Sequence, residues 1–220
     1  MRPGVTFTSP QVATILGLPG AIDSIVDLSG ANTDLHYKKV TDLGSRLANA
    51  SAGHIRMRMS QAYLSVNNLS VAHRQEAKVS CYLGTTYDGT NVPIVPAGSL
   101  ALAGTSTAAE HFVQGPVFLN TVELDGIESM TVDFGRSLIQ AGSGGEQYDT
   151  FAAMQEHNPV ITIRCWEVPS WATFGVNGTA LTAGSFYLRK MSAVGRVANG
   201  TAEHIKLAAT AGLISIDETS

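Results

Sequence analysis

Charged residues are scarce in this chain of 220 residues: Asp, Glu, Lys and Arg make up 15% of it, against about a quarter in an average soluble domain. A chain with few charged residues has little surface that requires contact with water, which favours a protein whose surface is covered by partners. A basic excess is missing too, because the formal net charge is −4. Tight binding to nucleic acid phosphates is therefore not expected.

Cysteine is almost absent. Cys81 and Cys165 are the only two, and each lies in an apolar run, so we expect two reduced, buried strand residues. No CxxC pair is present to anchor a zinc or redox site. The sequence also lacks an apolar run of about 18 residues and a signal peptide, so we expect no membrane span and synthesis in the cytoplasm.

Catalytic motifs are missing as well. We find no GxSxG nucleophile elbow, no HExxH zinc motif and no GK[ST] phosphate loop, and Gly142–Gly145 predict a flexible loop. The histidines are scattered, and we expect each to face solvent or a subunit interface; they are His36, His54, His73, His111, His157 and His204. The sequence therefore predicts no catalytic residue, no cofactor-binding residue, no metal ligand and no enzyme activity.

Two groups of side chains leave a sugar-binding function open. Glu123, Asp125 and Glu128 surround the Asp125-Gly126 dipeptide, and paired carboxylates are what glycoside hydrolysis requires, although a solvated acidic hairpin is the favoured interpretation. Trp166 and Trp171 offer an aromatic platform for a sugar, but core packing or a subunit contact is favoured. The corresponding alternative function is a β-sandwich carbohydrate-binding module.

Short alternating segments dominate what is present. The segment His54–Met59 (HIRMRM) alternates apolar side chains with His54, Arg56 and Arg58, so the two sets face opposite sides of a strand. Similar alternation predicts roughly ten strands. Residues 97–110 are small and predict a loop. One helix is predicted over Gln147–His157, and no internal repeat is visible at a fixed period.

Turn signals separate these segments. Asp125-Gly126 predicts a hairpin between Val113–Leu124 and Ile127–Phe134, and Asn177-Gly178 and Asn199-Gly200 predict two more turns. Together the strands predict a mainly β fold. We expect two packed antiparallel sheets, as a sandwich or half-barrel, with one short flanking helix and an irregular N-terminal arm.

The N-terminal region is broken by Pro and Gly yet rich in apolar residues between Val12 and Leu28. Such a segment must pack on its own domain or on a neighbouring subunit, and its irregularity favours an inter-subunit arm. We therefore divide the chain into an N-terminal arm or extension, residues 1–50, and a β-sandwich domain, residues 51–220.

The order of elements in the second half resembles tail tube proteins of tailed phages. The segments that carry the resemblance are Leu124–Gln140, a turn, a strand and an exit; Gln147–Val168, a helix, a Pro break and a strand; and Ser185–Asp217, the closing strands. The similarity spans residues 54–217 and is one of pattern, without a diagnostic motif. It implies a subunit whose homo-hexameric rings stack into a hollow tube, and no catalytic residues.

The resemblance also implies a location and partners. The protein would lie in the virion tail and contact copies of itself and other tail proteins, while DNA passes through without specific binding. His54, Arg56 and Arg58 depart from this expectation, since a basic face in the channel would bind DNA. We expect that face to point outward or to pair with carboxylates of a neighbour. A tail terminator, a connector or a capsid decoration protein is the alternative within the same class.

Overall fold

The computed structural model describes residues 3–30, 33–102, 110–142, 144–166 and 179–215. Strands account for 57% of these described residues and helix for 3%, so the predicted mainly β fold is confirmed. The elements in chain order are β1 (Gly4–Ser9), α1 (Val12–Leu16), β2 (Val26–Asp27), β3 (Thr33–Tyr37), β4 (His54–Met59), β5 (Gln61–Ala72), β6 (Lys78–Thr86), β7 (Ile94–Leu100), β8 (Phe112–Leu119), β9 (Val122–Leu124), β10 (Ile127–Asp133), β11 (Arg136–Ala141), β12 (Phe151–His157), β13 (Val160–Cys165), β14 (Thr179–Leu181), β15 (Gly184–Ser192), β16 (Gly195–Arg196), β17 (Ile205–Ala209) and β18 (Gly212–Ile214). Among the described residues, no helix is long and apolar enough to cross a membrane.

Two antiparallel sheets form a sandwich-like core. The six-stranded sheet has the order β1-β6-β5-β10-β13, with β2 beside β5, and the five-stranded sheet has the order β16-β15-β8-β9, with β17 beside β15. Period-2 alternation turns Val79, Cys81 and Leu83 of β6 inward, and all three are buried, as predicted. Phe112 and Phe186 of the second sheet belong to the same buried cluster.

Three smaller sheets surround this core. β3, β4 and β7 form a three-stranded sheet, while β11 pairs with β12 and β14 pairs with β18. The strand β7 occupies part of the predicted loop 97–110, so that prediction is wrong for residues 97–100. Residues 103–109 and the predicted Asn177-Gly178 turn lie outside the described residues. The Asn199-Gly200 turn is confirmed.

The start of the chain is not irregular. β1 pairs with β6 over six residues, from Gly4↔Gly84 to Ser9↔Val79. In α1, Val12, Ile15 and Leu16 are buried in the common core, because their i, i+3, i+4 spacing places them on one helix face. This part of the N-terminal region therefore packs on its own domain, the first of the two alternatives, and the boundary at residue 50 stays a prediction.

The predicted helix Gln147–His157 is wrong. Residues Phe151–His157 form β12, which pairs with β11 from Ala141↔Phe151 to Arg136↔His157. The sequence FAAMQEH has helical propensity and a helical apolar spacing, but backbone pairing with β11 overrides both. The short helix of the fold is α1 instead.

The Asp125-Gly126 dipeptide does not close a hairpin. It links β9, which pairs with β8, to β10, which pairs with β5 and β13 in the other sheet. The hairpin turn of β8 and β9 lies at Asn120-Thr121, where both residues have positive φ, 48° and 72°. A two-residue hairpin turn of the mirror-image type needs that conformation, and Asn tolerates it better than most residues.

Candidate functional site

Of the side chains considered for sugar binding, Asp125 and Trp166 line one open cleft, whereas Glu123 and Glu128 are not among its lining residues. This cleft has a volume of about 510 Å³, and Trp166, Asp125, Arg74 and Gln114 are among its lining residues. Trp166 is 66% exposed, and its ring lies 6.3 Å from that of His73 between centroids. Glu123 and Asp125 are exposed, whereas Trp171 lies outside the described residues.

The cysteines are not joined by a disulfide. Cys81 is fully buried, as predicted, and burial raises the pKa of its thiol to about 11. Cys165 is only half-buried, and its thiol donates a hydrogen bond to the carbonyl of Asp125. Among the described residues, no group of three or more His, Cys, Asp and Glu side chains is placed to hold a metal ion.

The three side chains predicted to form a basic face on β4 lie in different environments. His54 is fully buried instead of facing outward. Arg58 donates two hydrogen bonds to Asp34 of the neighbouring strand β3, at 2.9 Å and 3.0 Å. These bonds lower the pKa of Asp34, and the Arg56 guanidinium lies 3.9 Å from the same carboxylate. Arg58 and Arg56 therefore have a carboxylate partner within the chain, Asp34 of β3.

Both sides of the six-stranded sheet end in strands with an open edge. Within the described part of the chain, β1 pairs only with β6, and β13 pairs only with β10. Val160 on β13 is 59% exposed. An unpaired edge exposes backbone donors and acceptors that readily join another strand, so both edges are candidate contact sites.

Two distant segments of the chain are copies of one another. Residues 39–55 (KVTDLGSRLANASAGHI) and 190–205 (KMSAVGRVANGTAEHI) align with a single gap at Ser45, and eight of the 16 aligned positions are identical. This similarity lies outside the expectation from the sequence, which concerned only repeats at a fixed period. Two copies about 150 residues apart create no period between neighbours, which is why a search for fixed periods missed them.

The two copies also share their strand pairing. Tyr37↔Ile55 joins β3 to β4, and the aligned Leu188↔Ile205 joins β15 to β17. Outside these hairpins, Val26↔Leu64 joins β2 to β5 as Thr179↔Ile214 joins β14 to β18. We define residues 26–65 as the first repeat and residues 179–215 as the second repeat.

A histidine holds the long loop of each repeat. His54 Nδ1 accepts the Lys39 N–H at 3.0 Å, and its Nε2 lies 3.0 Å from the Ala48 carbonyl. His204 makes the same two contacts, with the Lys190 N–H at 3.1 Å and with the Ala198 carbonyl at 2.9 Å. Both rings are therefore neutral, with the proton on Nε2. The role of these residues was missed because it follows from the loop and not from the strand pattern.

The loops that these histidines hold present an apolar tip. We define the first arm as residues 38–53 and the second arm as residues 189–203. Leu43 at the tip of the first arm is 94% exposed, and the aligned Val194 of the second arm is 99% exposed. Each is followed by a glycine with positive φ, Gly44 at 79° and Gly195 at 130°. Both copies thus keep an apolar side chain on a glycine turn that faces solvent.

The sequence similarity between the two parts of the chain also includes residues that precede each repeat. PQVATI at residues 10–15 resembles PSWATF at residues 169–174, the latter outside the described residues. Before them lie VTF of β1 and ITI of β13, the two edge strands of the six-stranded sheet. The two open edges therefore occupy matching places in the duplicated sequence.

No model of a known protein family matches the sequence, and no curated protein shows a significant match to it.

Proposed function

We propose that this chain is a virion structural protein of the tail tube type, whose copies join into stacked homo-hexameric rings that conduct DNA. The observation that carries the proposal is the open edge on both sides of the six-stranded sheet, at β1 and β13. In a closed ring made of one kind of subunit, each edge is covered by a neighbour, which removes the risk of unlimited edge pairing.

The surface composition supports the same function. Only 15% of the residues are charged, and several large apolar side chains away from the sheet edges are exposed, including Leu43, Val194 and Phe151. Contact with copies of the chain and with other tail proteins would cover them. The net charge of −4 suits a channel along which DNA slides without binding.

Electron microscopy of the purified protein tests this function. We expect rings or tubes with a central hole, and monodisperse monomers at high concentration would contradict the proposal. Replacing Val160 and Thr162 of β13 by lysine should abolish the rings and leave circular dichroism unchanged, because edge lysines oppose strand pairing. The matched control, Val160→Thr with Thr162→Ser, should still assemble. A single ring that never stacks would instead indicate a tail terminator.

The exposed Trp166 beside the 510 Å³ cleft favours a second candidate, the carbohydrate-binding module. An exposed aromatic ring next to polar and charged side chains is the usual platform for a sugar ring. Binding on a glycan array that is lost in Trp166→Ala would support this function. Absence of any glycan binding by the folded wild-type protein would exclude it.

A further inference from the structure

The two arms are the basic part of an acidic chain. Together they contain six of the 14 Lys and Arg residues but only two of the 18 Asp and Glu residues, so each arm carries a net charge of +2 and the rest of the chain −8. Most of that negative charge lies in residues 123–156, which hold seven Asp and Glu residues and one Arg. The chain therefore carries two surfaces of opposite sign.

The acidic segment also presents an apolar patch. Ile139 of β11 is 46% exposed and Phe151 of β12 is 54% exposed. Phe151 is paired with Ala141, which lies two residues from Ile139, so Ile139 and Phe151 share one face of the hairpin. Phe151 further borders an open cleft of about 280 Å³ between β12 and β5. Exposed Glu146 and Glu156 belong to the same hairpin.

We propose that the two arms are duplicated docking elements, and that each inserts its apolar tip at the Ile139–Phe151 patch of a second copy of this chain. We take the partner to be a second copy because the arms match the patch in two respects. The arms are basic where the segment around the patch is acidic, and both the tips and the patch present exposed apolar side chains. Arg46 and Arg196, exposed beside the two tips, then face the carboxylates of the acidic segment. This inference rests on the proposed self-assembly and names the surfaces that perform it.

The duplication gives each chain two arms of the same kind. A chain with two arms and one patch can contact more than one neighbour, as stacked rings require. The contacts of His54 and His204 support this role. They fix each tip relative to its sheet before binding and so reduce the conformational entropy lost on docking.

Serine substitutions at the tips test the proposal by sedimentation velocity. Leu43→Ser and Val194→Ser should each raise the dissociation constant for self-association roughly tenfold or more, as expected for one lost apolar contact, and the double variant should associate more weakly than either single variant. Phe151→Ser should resemble the double variant. Leu213→Ser is the matched control, because Leu213 is 77% exposed but lies outside the arms and the patch.

A charge exchange identifies the partner surface. Arg46→Glu with Arg196→Glu should prevent self-association, and so should Glu146→Lys with Glu156→Lys. Mixing the two variant proteins should restore assembly, because the signs are complementary again. Failure of the mixture to assemble, with both variants folded by circular dichroism, would overturn the acidic segment as the docking surface.

The outcomes separate the two proposals. If the wild-type protein is monomeric at every concentration, the proposed function fails and the docking role fails with it. If the wild-type protein forms rings and both tip variants assemble as the Leu213→Ser control does, the docking role alone is overturned.

Discussion

Single side chains decide how the arms are held. His54 is fully buried and uses both ring nitrogens, whereas His204 is half-buried and makes the same contacts closer to solvent. Neutral histidine joins a backbone donor to a backbone acceptor here, which a longer or charged side chain does not reproduce. The same residue type thus performs one structural task twice in the chain.

His54→Ala should lower the free energy of unfolding by about 2–4 kcal/mol, because the fully buried ring leaves a cavity and the part-buried Lys39 N–H and Ala48 carbonyl lose their partner. His204→Ala should cost about 1 kcal/mol, since water reaches the groups it leaves. Urea unfolding followed by fluorescence measures both. His36→Ala, on the exposed face of β3, is the control and should change little. Equal losses for His54 and His204 would contradict the assigned burial.

The hydrogen bonds from Arg58 lower the pKa of Asp34 below its ordinary value of 3.8. The unfolded chain binds this proton more tightly than the folded chain does. The stabilising contribution is therefore complete above about pH 4 and is lost as the pH falls through the folded pKa. Urea midpoints measured from pH 5 to pH 2.5 should fall less in Asp34→Asn than in the wild type, and parallel curves would contradict the link.

Elements were predicted well where apolar and polar side chains alternate. The bounds of β4 and the inward face of β6 follow from alternation alone. The prediction was wrong at β12, whose apolar residues fit a helix, and at Asp125-Gly126, whose turn joins two sheets. The decisive partner is the preceding strand β11 for β12, and the distant strand β5 for the segment after Asp125-Gly126. In both cases the pairing is not contained in the residue pattern of the segment itself.

Ile15→Ala tests whether the N-terminal segment belongs to the core. The side chain of Ile15 is 8% exposed, so its truncation should lower the free energy of unfolding by about 2–4 kcal/mol. Ile22→Ala is the matched control in the same segment, because Ile22 is 44% exposed and should cost less than about 1 kcal/mol. Equal small effects would indicate an arm that does not pack on its own domain.

At the scale of the whole molecule, charge is separated between basic arms and an acidic remainder. Such separation favours contact between copies, because the basic arms of one copy attract the acidic segment of another. Two kinds of interaction would then drive assembly: electrostatic attraction at the arms and backbone hydrogen bonding at the sheet edges. Only the electrostatic attraction depends strongly on salt.

Self-association should weaken as NaCl rises from about 0.05 M to 0.5 M, because screening shortens the range of attraction between the arms and the acidic segment. Sedimentation velocity at a series of salt concentrations measures the effect. The Arg46→Gln, Arg196→Gln variant, which removes the two charges without reversing them, is the control and should lose most of this dependence. Association of the wild type that strengthens with salt would show that apolar contacts alone drive assembly.

By itself, the sequence determined the mainly β class, the inward face of β6 and, once the similar segments are aligned, the duplication, since each of these follows from local alternation or from direct comparison of residues. Only the tertiary structure decided that His54 is buried, that β12 is a strand, and that α1 packs on the six-stranded sheet. The physical reason is the same for all three: burial and backbone pairing depend on which segments meet in the folded chain, and their energies exceed the local propensities of the residues involved.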